Sequence, residues 1–532
     1  MTNLINAKAR RRKDTKKARE KENYMNLNLP LSAPLCASAP SRLCVKQTRR
    51  DFLSNLGLGC GGLALGSLLL QDGIARANDP AEKWSPPDGK PHHVPKAKNV
   101  IWIFLSGGVS QLETFDPKPA LNKYEGKTYD ESGLANPQKS PLFLARSRSV
   151  VGDDRQLFTK IFPLQVGYKK YGDVGLEVSD WLPHLATCAD DIAVVRSMWT
   201  TDNDHAAEFQ MHTGRHALDE KQPVIGSWIH YGLGSLNENL PQFVFLGEYK
   251  DNRVRQDFDP NYLGPAHGGV QLSLDPANPL PFAARAKDVS LEQQRSEFAF
   301  INELNQLTAK DHPEDEQLKA RIQSYELAFR MQLSVPEALD LAQESAQTQS
   351  LYGIDNPATA VYGRRLLAAR RLAERGVRYS LVYLSDYGEW DSHQELKKNH
   401  SRSCERIDKP VAGLIKDLKR RGMFDDTLIV FCTEFGRTPA VEGGGQFNAP
   451  ATGRDHHPHG FSVFFAGAGV KRGCIHGATD ELGFHAVESP HYVTDIHATV
   501  LHLLGIDGRR LEIPGRKRLE MDHGKVIQDI LA

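Results

Sequence analysis

The stretch NVIWIFLSGG, Asn99 to Gly108, decides the fold. Six apolar side chains run without a break from Val100 to Leu105, and Ser106, Gly107 and Gly108 follow at once. A strand with one wet face alternates apolar and polar residues. This one does not, so both of its faces are buried, as in a parallel sheet covered by helices. The small residues behind it deliver the strand end into a loop.

The same pattern recurs downstream. Buried strands are expected at 191–198 (DIAVVRSM), 242–247 (QFVFLG), 377–384 (VRYSLVYL), 427–436 (TLIVFCTEFG) and 461–469 (FSVFFAGAG). Helical periodicity fills 363–376 and 403–422, each ending at a glycine that feeds the next strand. A further helix is expected at 494–506, with Thr494 or Asp495 as its cap. Strands alternating with helices imply an α/β fold with a mostly parallel sheet and helices on both faces. In such sheets ligands bind outside the carboxyl ends of the strands. The polar, helical stretch 288–346 reads as an insertion, a lid or an oligomer contact.

Upstream of Asn99 the character changes. Residues 1–30 are rich in Lys and Arg and read as a disordered basic arm, with Met25 as an alternative start. Arg49 and Arg50 then precede Asp51, Phe52 and Leu53. A Gly/Leu-rich apolar run and Ala75-Arg76-Ala77 follow. That order of charge, apolar core and small-residue cleavage site is the twin-arginine export pattern. Residues 1–77 are therefore expected to be arm plus signal peptide, and the Tat translocase a partner during export. The mature chain is expected in the periplasm or outside the cell. Residues 78–97 read as a linker. No later segment is apolar for long enough to span a bilayer. The 532-residue chain has no net charge, which argues against a nucleic-acid binder. Beyond residue 77 the cysteines are Cys188, Cys404, Cys432 and Cys474, with no close CxxC pair, so thiolate zinc and a disulfide framework are not expected.

Polar residues gather at the expected strand ends. After LVYL come Asp391 and His393, two apart, so in an extended segment they share a face. After LIVFC comes Glu434, then Arg437. Ahead of FSVFFAGAG lie Asp455, His456, His457 and His459. Carboxylates with imidazoles and no thiolate suit zinc, one or two ions, with manganese or calcium as alternatives. The expected ligands are Asp391, His393, Glu434, Asp455, His456 and His459. His459 ranks first within its run, and His457 serves as support or substrate contact. Any one histidine has a plain alternative as a solvated or hydrogen-bonded loop residue, and Glu434 as a cap or a partner of Arg437. Ser110 reads either as a nucleophile or as a helix cap completed by Glu113. In TTDNDHAAEFQMHTGRH, Asp204 or His205 begins a helix-like stretch whose N-terminus favours an oxyanion. Arg215 and Arg437 are the candidate anion clamps.

SGGVSQLETFDPKP, EWDSH, TEFGRTP, GRDHHPHG with AGAGVKRG, and DIHATVLHLLGID resemble the DUF1501 family of the alkaline phosphatase–sulfatase superfamily. The resemblance covers roughly 98–532. It implies an alkaline-phosphatase-like three-layer sandwich and metal-assisted hydrolysis of phosphate or sulfate esters. By the same resemblance Asp391 and His393 match the Asp/His pair of one metal site, and His459 a late histidine that completes it. Glu434 sits where relatives carry the second site's Asp. Relatives also carry an Asp after the first strand, where this chain has Ser106-Gly107-Gly108, and no CxPxR nucleophile motif occurs here. Two functions therefore stand side by side. One is an exported metal-dependent ester hydrolase whose nucleophile is water, His205 or Ser110. The other is a degenerate member that binds a sulfated or phosphorylated glycan, or a partner protein, without turnover.

Overall fold

The structure, a computed structural model, describes residues 87–146, 160–216, 218–247, 259–275, 278–280, 289–311, 316–441, 452–513 and 523–532. The basic arm and the twin-arginine stretch lie outside these residues. All described residues fall in one compact unit, Trp84–Ala532.

The strands, numbered along the chain, are β1 (Asn99–Leu105), β2 (Tyr168–Tyr171), β3 (Leu176–Ser179), β4 (Ile192–Trp199), β5 (Phe243–Leu246), β6 (Val270–Leu272), β7 (Tyr379–Tyr383), β8 (Thr427–Thr433), β9 (Gly436–Val441), β10 (Arg454–His457), β11 (Phe461–Gly467), β12 (Cys474–His476), β13 (Ala478–Thr479), β14 (Ala486–Glu488) and β15 (His491–Tyr492). Among the described residues the main sheet runs β12-β4-β11-β8-β1-β7-β5-β6, with β15 also on β4. The pairs β2–β3, β9–β10 and β13–β14 stand apart from it.

β1 is parallel to both β7 and β8, and β5 is parallel to β6 and β7. β11 is antiparallel to β8 and to β4. It alone is reversed, so the sheet is mixed and mostly parallel. One consequence positions the site: residues that precede β11 stand at the same rim as residues that follow β1, β7 and β8.

β1 alternates between two cores. Ile101, Ile103 and Leu105 join one, with Leu366, Leu367, Ile407, Val411 and Leu414 from the helices Ala360–Glu374 and Leu396–Arg420. Val100, Trp102 and Phe104 join the other, with Ile225, Trp228, Ile496 and Val500 from the helices Ile225–Leu233 and Val493–Leu503. Both faces of the sheet are thus covered, which gives three layers. Each large side chain fully buried this way contributes roughly 1.5–3 kcal/mol.

Two expectations change. Part of the stretch read as a linker is docked: the N–H groups of His92 and His93 donate to the carbonyl of Gly505, and those of Lys96 and Ala97 to Leu503. The C-terminal helix is preceded by Tyr492, which makes no side-chain cap; Thr494 and Asp495 lie within its first turn. In the expected insertion, the helices Leu291–Asp311 and Glu316–Leu339 stack Phe298 on Phe329, with ring centroids 4.4 Å apart. The four cysteines are unpaired, and no helix among the described residues is long and apolar enough to cross a membrane.

Candidate metal centre at the sheet rim

The turn after β1 sets the site. Gly107 has φ +116°, and a Cβ there would come within 2.6 Å of the backbone nitrogens of Trp390 and Asp391. Only glycine lets the loop after β7 lie so close. Ser106 ties the two together: its carbonyl accepts from Trp390 N–H at 3.1 Å and its hydroxyl from Gly388 N–H at 2.9 Å. Gly107 N–H donates to Glu434 Oε1 at 2.7 Å, which brings the end of β8 to the same turn.

Asp391 is the hub. Its Oδ1 lies 2.9 Å from His393 Nε2, 3.1 Å from His456 Nε2 and 2.7 Å from Arg437 Nη2. Its Oδ2 lies 3.2 Å from His205 Nε2. The other nitrogen of His205 meets Glu434 Oε1 at 3.0 Å. Asp455 Oδ1 stands 3.7 Å from His393 Nδ1. Among the described residues two sets have ligand atoms within 4.8 Å of one another: His205, Asp391 and His456, and His393, Asp455 and His456. They share His456 and so form one continuous cluster.

Protonation follows from this crowding. Burial works against a charged His205, but hydrogen bonds to Asp391 and Glu434 outweigh it and lift the ring to about 10. Burial likewise opposes charge on Asp391, yet His205, His393, His456 and Arg437 together hold its carboxyl far below the usual range. His456 goes the other way; burial pushes it down to about 3, against the pull of Asp391. Two carboxylates, Asp391 and Glu434, thus favour a charged His205, while burial favours a neutral His456.

His456 also tests whether these residues suit a cation. Its Nδ1 lies 2.7 Å from the carbonyl of Asn203, which can only accept, so Nδ1 carries the hydrogen. In the neutral ring Nε2 is then a bare lone pair. It faces an Asp391 oxygen at 3.1 Å and His393 Nε2 at 3.1 Å. His393 Nε2–H can donate to that lone pair, and a cation bound between Asp391, His393 and His456 would occupy the same space. Two imidazoles and two carboxylates match zinc or manganese, and the Asn203 carbonyl is the outer partner that ligating histidines usually have.

The other expected residues fall elsewhere. His459 joins neither set. β10 is a strand, so His456 and His457 point to opposite sides; His457 Nε2 bonds the Phe484 carbonyl, and His459 follows it, its ring 4.8 Å from that of Phe143. Ser110 is fully buried and its hydroxyl donates to Glu113, so it is not an exposed nucleophile, and no helix follows for it to cap: residues 111–115 form a turn. Arg437 is no clamp. It is fully buried, with Nε on the Gly108 carbonyl (2.9 Å), Nη1 on that of Arg454 (3.0 Å), and Nη2 on Gly107 and Asp391. Arg215 stands beside His497 and His523 instead of the cluster. Glu434 bonds Gly107, Thr433 and His205 and borders the cluster through His205, without pairing to Arg437.

Three features escaped the reading of the sequence. Glu208 is fully buried and takes the Ser106 hydroxyl, with Tyr383 Oη 3.5 Å away. His205 lies in the turn ahead of the helix Ala207–Thr213 and Glu208 in its first turn, so no shared helix face marked the pair in sequence. Arg454 and Glu113 form a fully buried ion pair at 2.8 Å. His400, also fully buried, accepts the Ser110 N–H at 3.1 Å.

Residues 97–531 match the family described as "Protein of unknown function (DUF1501)", and the chain belongs to that family. No curated protein matches it by sequence. Solved structures to which it is similar include a protein in the alkaline phosphatase superfamily from Vibrio parahaemolyticus, with 12% identity and a TM-score of 0.36 over 88% of this chain and 79% of that one. A sulfatase from Pseudoalteromonas sp. has 12% identity and a TM-score of 0.33 over 82% and 74%. A phosphonate monoester hydrolase from Silicibacter pomeroyi has 14% identity and a TM-score of 0.31 over 65% and 71%.

Proposed function

We propose that the protein is an exported, metal-dependent hydrolase of phosphate or sulfate esters. The observation that carries this reading is the gathering of Asp391, His393 and Asp455 around His456, whose Nε2 lies 3.1 Å from both Asp391 Oδ1 and His393 Nε2. Asp391, His393, Asp455 and His456 would hold a divalent metal, with zinc the first choice. A bound metal of this kind polarises an ester oxygen and offsets developing negative charge.

The chain's own residues supply the rest. Arg437 fixes Asp391 by a 2.7 Å hydrogen bond and pins the Gly107–Gly108 turn beneath it. His205, with one ring nitrogen on Asp391 and the other on Glu434, is the group able to hold and move a proton beside the metal. Glu208 and Ser106 brace the floor. The substrate class is an anionic ester, with a sulfated or phosphorylated glycan in view; the twin-arginine stretch supports the periplasm or exterior as the place of action.

A second reading, binding without turnover, is favoured by a specific observation. Ser110 and Arg437, the candidate nucleophile and a candidate anion clamp read from the sequence, are both committed to the protein itself. Metal analysis of the purified protein decides first, then hydrolysis of aryl phosphate and aryl sulfate panels by wild type and Asp391→Ala. Metal in the wild type with turnover lost in the variant is the expected result. Glycan binding with no turnover favours the second reading, and no bound divalent metal sinks the first.

A further inference from the structure

The outer edge of the sheet holds a second meeting of imidazoles, apart from the rim. β12 and β15 lie in line along one side of β4: His476 pairs with Val195, and His491 with Met198. The chain leaves that edge between them and returns. Gly477 makes the exit, with φ +68° and no room for a Cβ against Ser197. The Ser197 hydroxyl holds the return, donating to the Ser489 carbonyl at 2.7 Å. The register brings the two rings together, with Nε2 to Nε2 at 2.9 Å.

The tautomer of one ring is set. His491 Nδ1 lies 2.9 Å from Asp495 Oδ2, and Asp495 Oδ1 accepts the Lys525 N–H at 2.8 Å. A carboxylate anchored in this way takes the Nδ1 hydrogen of His491 and leaves its Nε2 as a lone pair. That lone pair points at His476 Nε2. On the far side of His476, Asp529 Oδ2 stands 3.9 Å from Nδ1. The His476 and His491 side chains are only 10% and 17% exposed.

We propose that His476 and His491 form a binding site for a divalent transition metal of the zinc, copper or nickel kind, which clips the loop 477–490 to the sheet edge. Imidazole pairs backed by a carboxylate suit these ions. Metal–nitrogen bonds of about 2.0–2.1 Å at a tetrahedral angle put two ligand nitrogens roughly 3.3–3.4 Å apart, so the pair has to open by only about half an ångström. The donor set differs from that of the rim, since neither three-ligand cluster includes this pair. Water completes the coordination, while Asp529, on the far side of His476, faces its Nδ1.

The test is a zinc titration of tag-free protein, read by calorimetry and native mass spectrometry, on wild type, His476→Gln and His491→Gln. The expected result is one equivalent of zinc fewer in each variant, with the metal lost on Asp391→Ala belonging to a separate class. Equal zinc equivalents in wild type and both variants would overturn the proposal and leave a plain imidazole–imidazole hydrogen bond. Melting in EDTA guards against misfolding. If either glutamine variant melts early, Asp495→Asn replaces it: both rings stay while His491 loses its anchor. Zinc affinity at this site then falls roughly 10–100-fold, and an unchanged affinity overturns the proposal.

Discussion

His393 Nε2 and His456 Nε2 lie 3.1 Å apart and both contact the same oxygen of Asp391, at 2.9 and 3.1 Å. Three electron-rich atoms share one small space. A metal bound there stabilises the fold by mass action, by about 3–4 kcal/mol when present at 100–1,000 times its Kd. EDTA is therefore expected to lower Tm, and zinc or manganese to restore it. His456→Ala removes the atom common to both clusters and should abolish that response in thermal melts.

Gly107 is the second point to probe. Its φ of +116° and the 2.6 Å approach to Trp390 and Asp391 leave no place for a methyl group. Gly107→Ala is expected to cost more than about 1 kcal/mol in urea unfolding. It should also weaken metal binding, because the loop carrying Asp391 must lift away. Wild-type stability together with wild-type metal affinity would refute the role given to this turn.

The Arg454–Glu113 pair is fully buried on both sides. Glu113→Gln leaves the Arg454 charge without its counter-ion and should destabilise by roughly 3–5 kcal/mol. The Ser110 hydroxyl loses the same partner. A joint replacement, Glu113→Gln with Arg454→Met, is expected to cost less than the single change, measured by denaturant midpoints.

Acid sensitivity has a source outside the rim. Burial pushes His212 to about 3, His497 to about 4 and His523 to about 3, from an ordinary 6.5. All three stay neutral when folded but take up a proton on unfolding below pH 6.5. Stability is then complete above that pH and drains away as pH falls towards 4, by about 1.4 kcal/mol per pH unit for each ring. His212→Phe should make the slope between pH 6 and 4.5 shallower by about that amount. An unaltered slope would rule out His212 as a contributor.

How much of this was legible in sequence divides along physical lines. β1, β7, β8 and β11 announce themselves, because a strand buried on both faces is apolar throughout and loops end it sharply. The reversal of β11 is not written in FSVFFAGAG, since an apolar run reads alike in either direction. Yet that reversal is why Asp455 and His456, which precede a strand, stand beside Asp391 and His393, which follow one. The choice between His456 and His459 was hidden for a related reason. Arg454–His457 is polar and buried, so no apolar alternation marked β10 as a strand that turns His456 and His457 to opposite sides. Arg437 and Ser110 look available in a sequence because buried self-satisfaction leaves no local signature.

The place of β1 in the sheet has a temporal consequence. Its neighbours on both sides come late in the chain: Val100 pairs with Tyr379, and Asn99 with Thr427, 328 residues onward. At a synthesis rate of roughly 5–20 residues per second, this long apolar strand waits on the order of 15–65 s for its second partner. Until then its hydrogen-bonding edges are open to any other strand. Shielding of the nascent chain during that wait is then a requirement of folding separate from the stability of the finished chain.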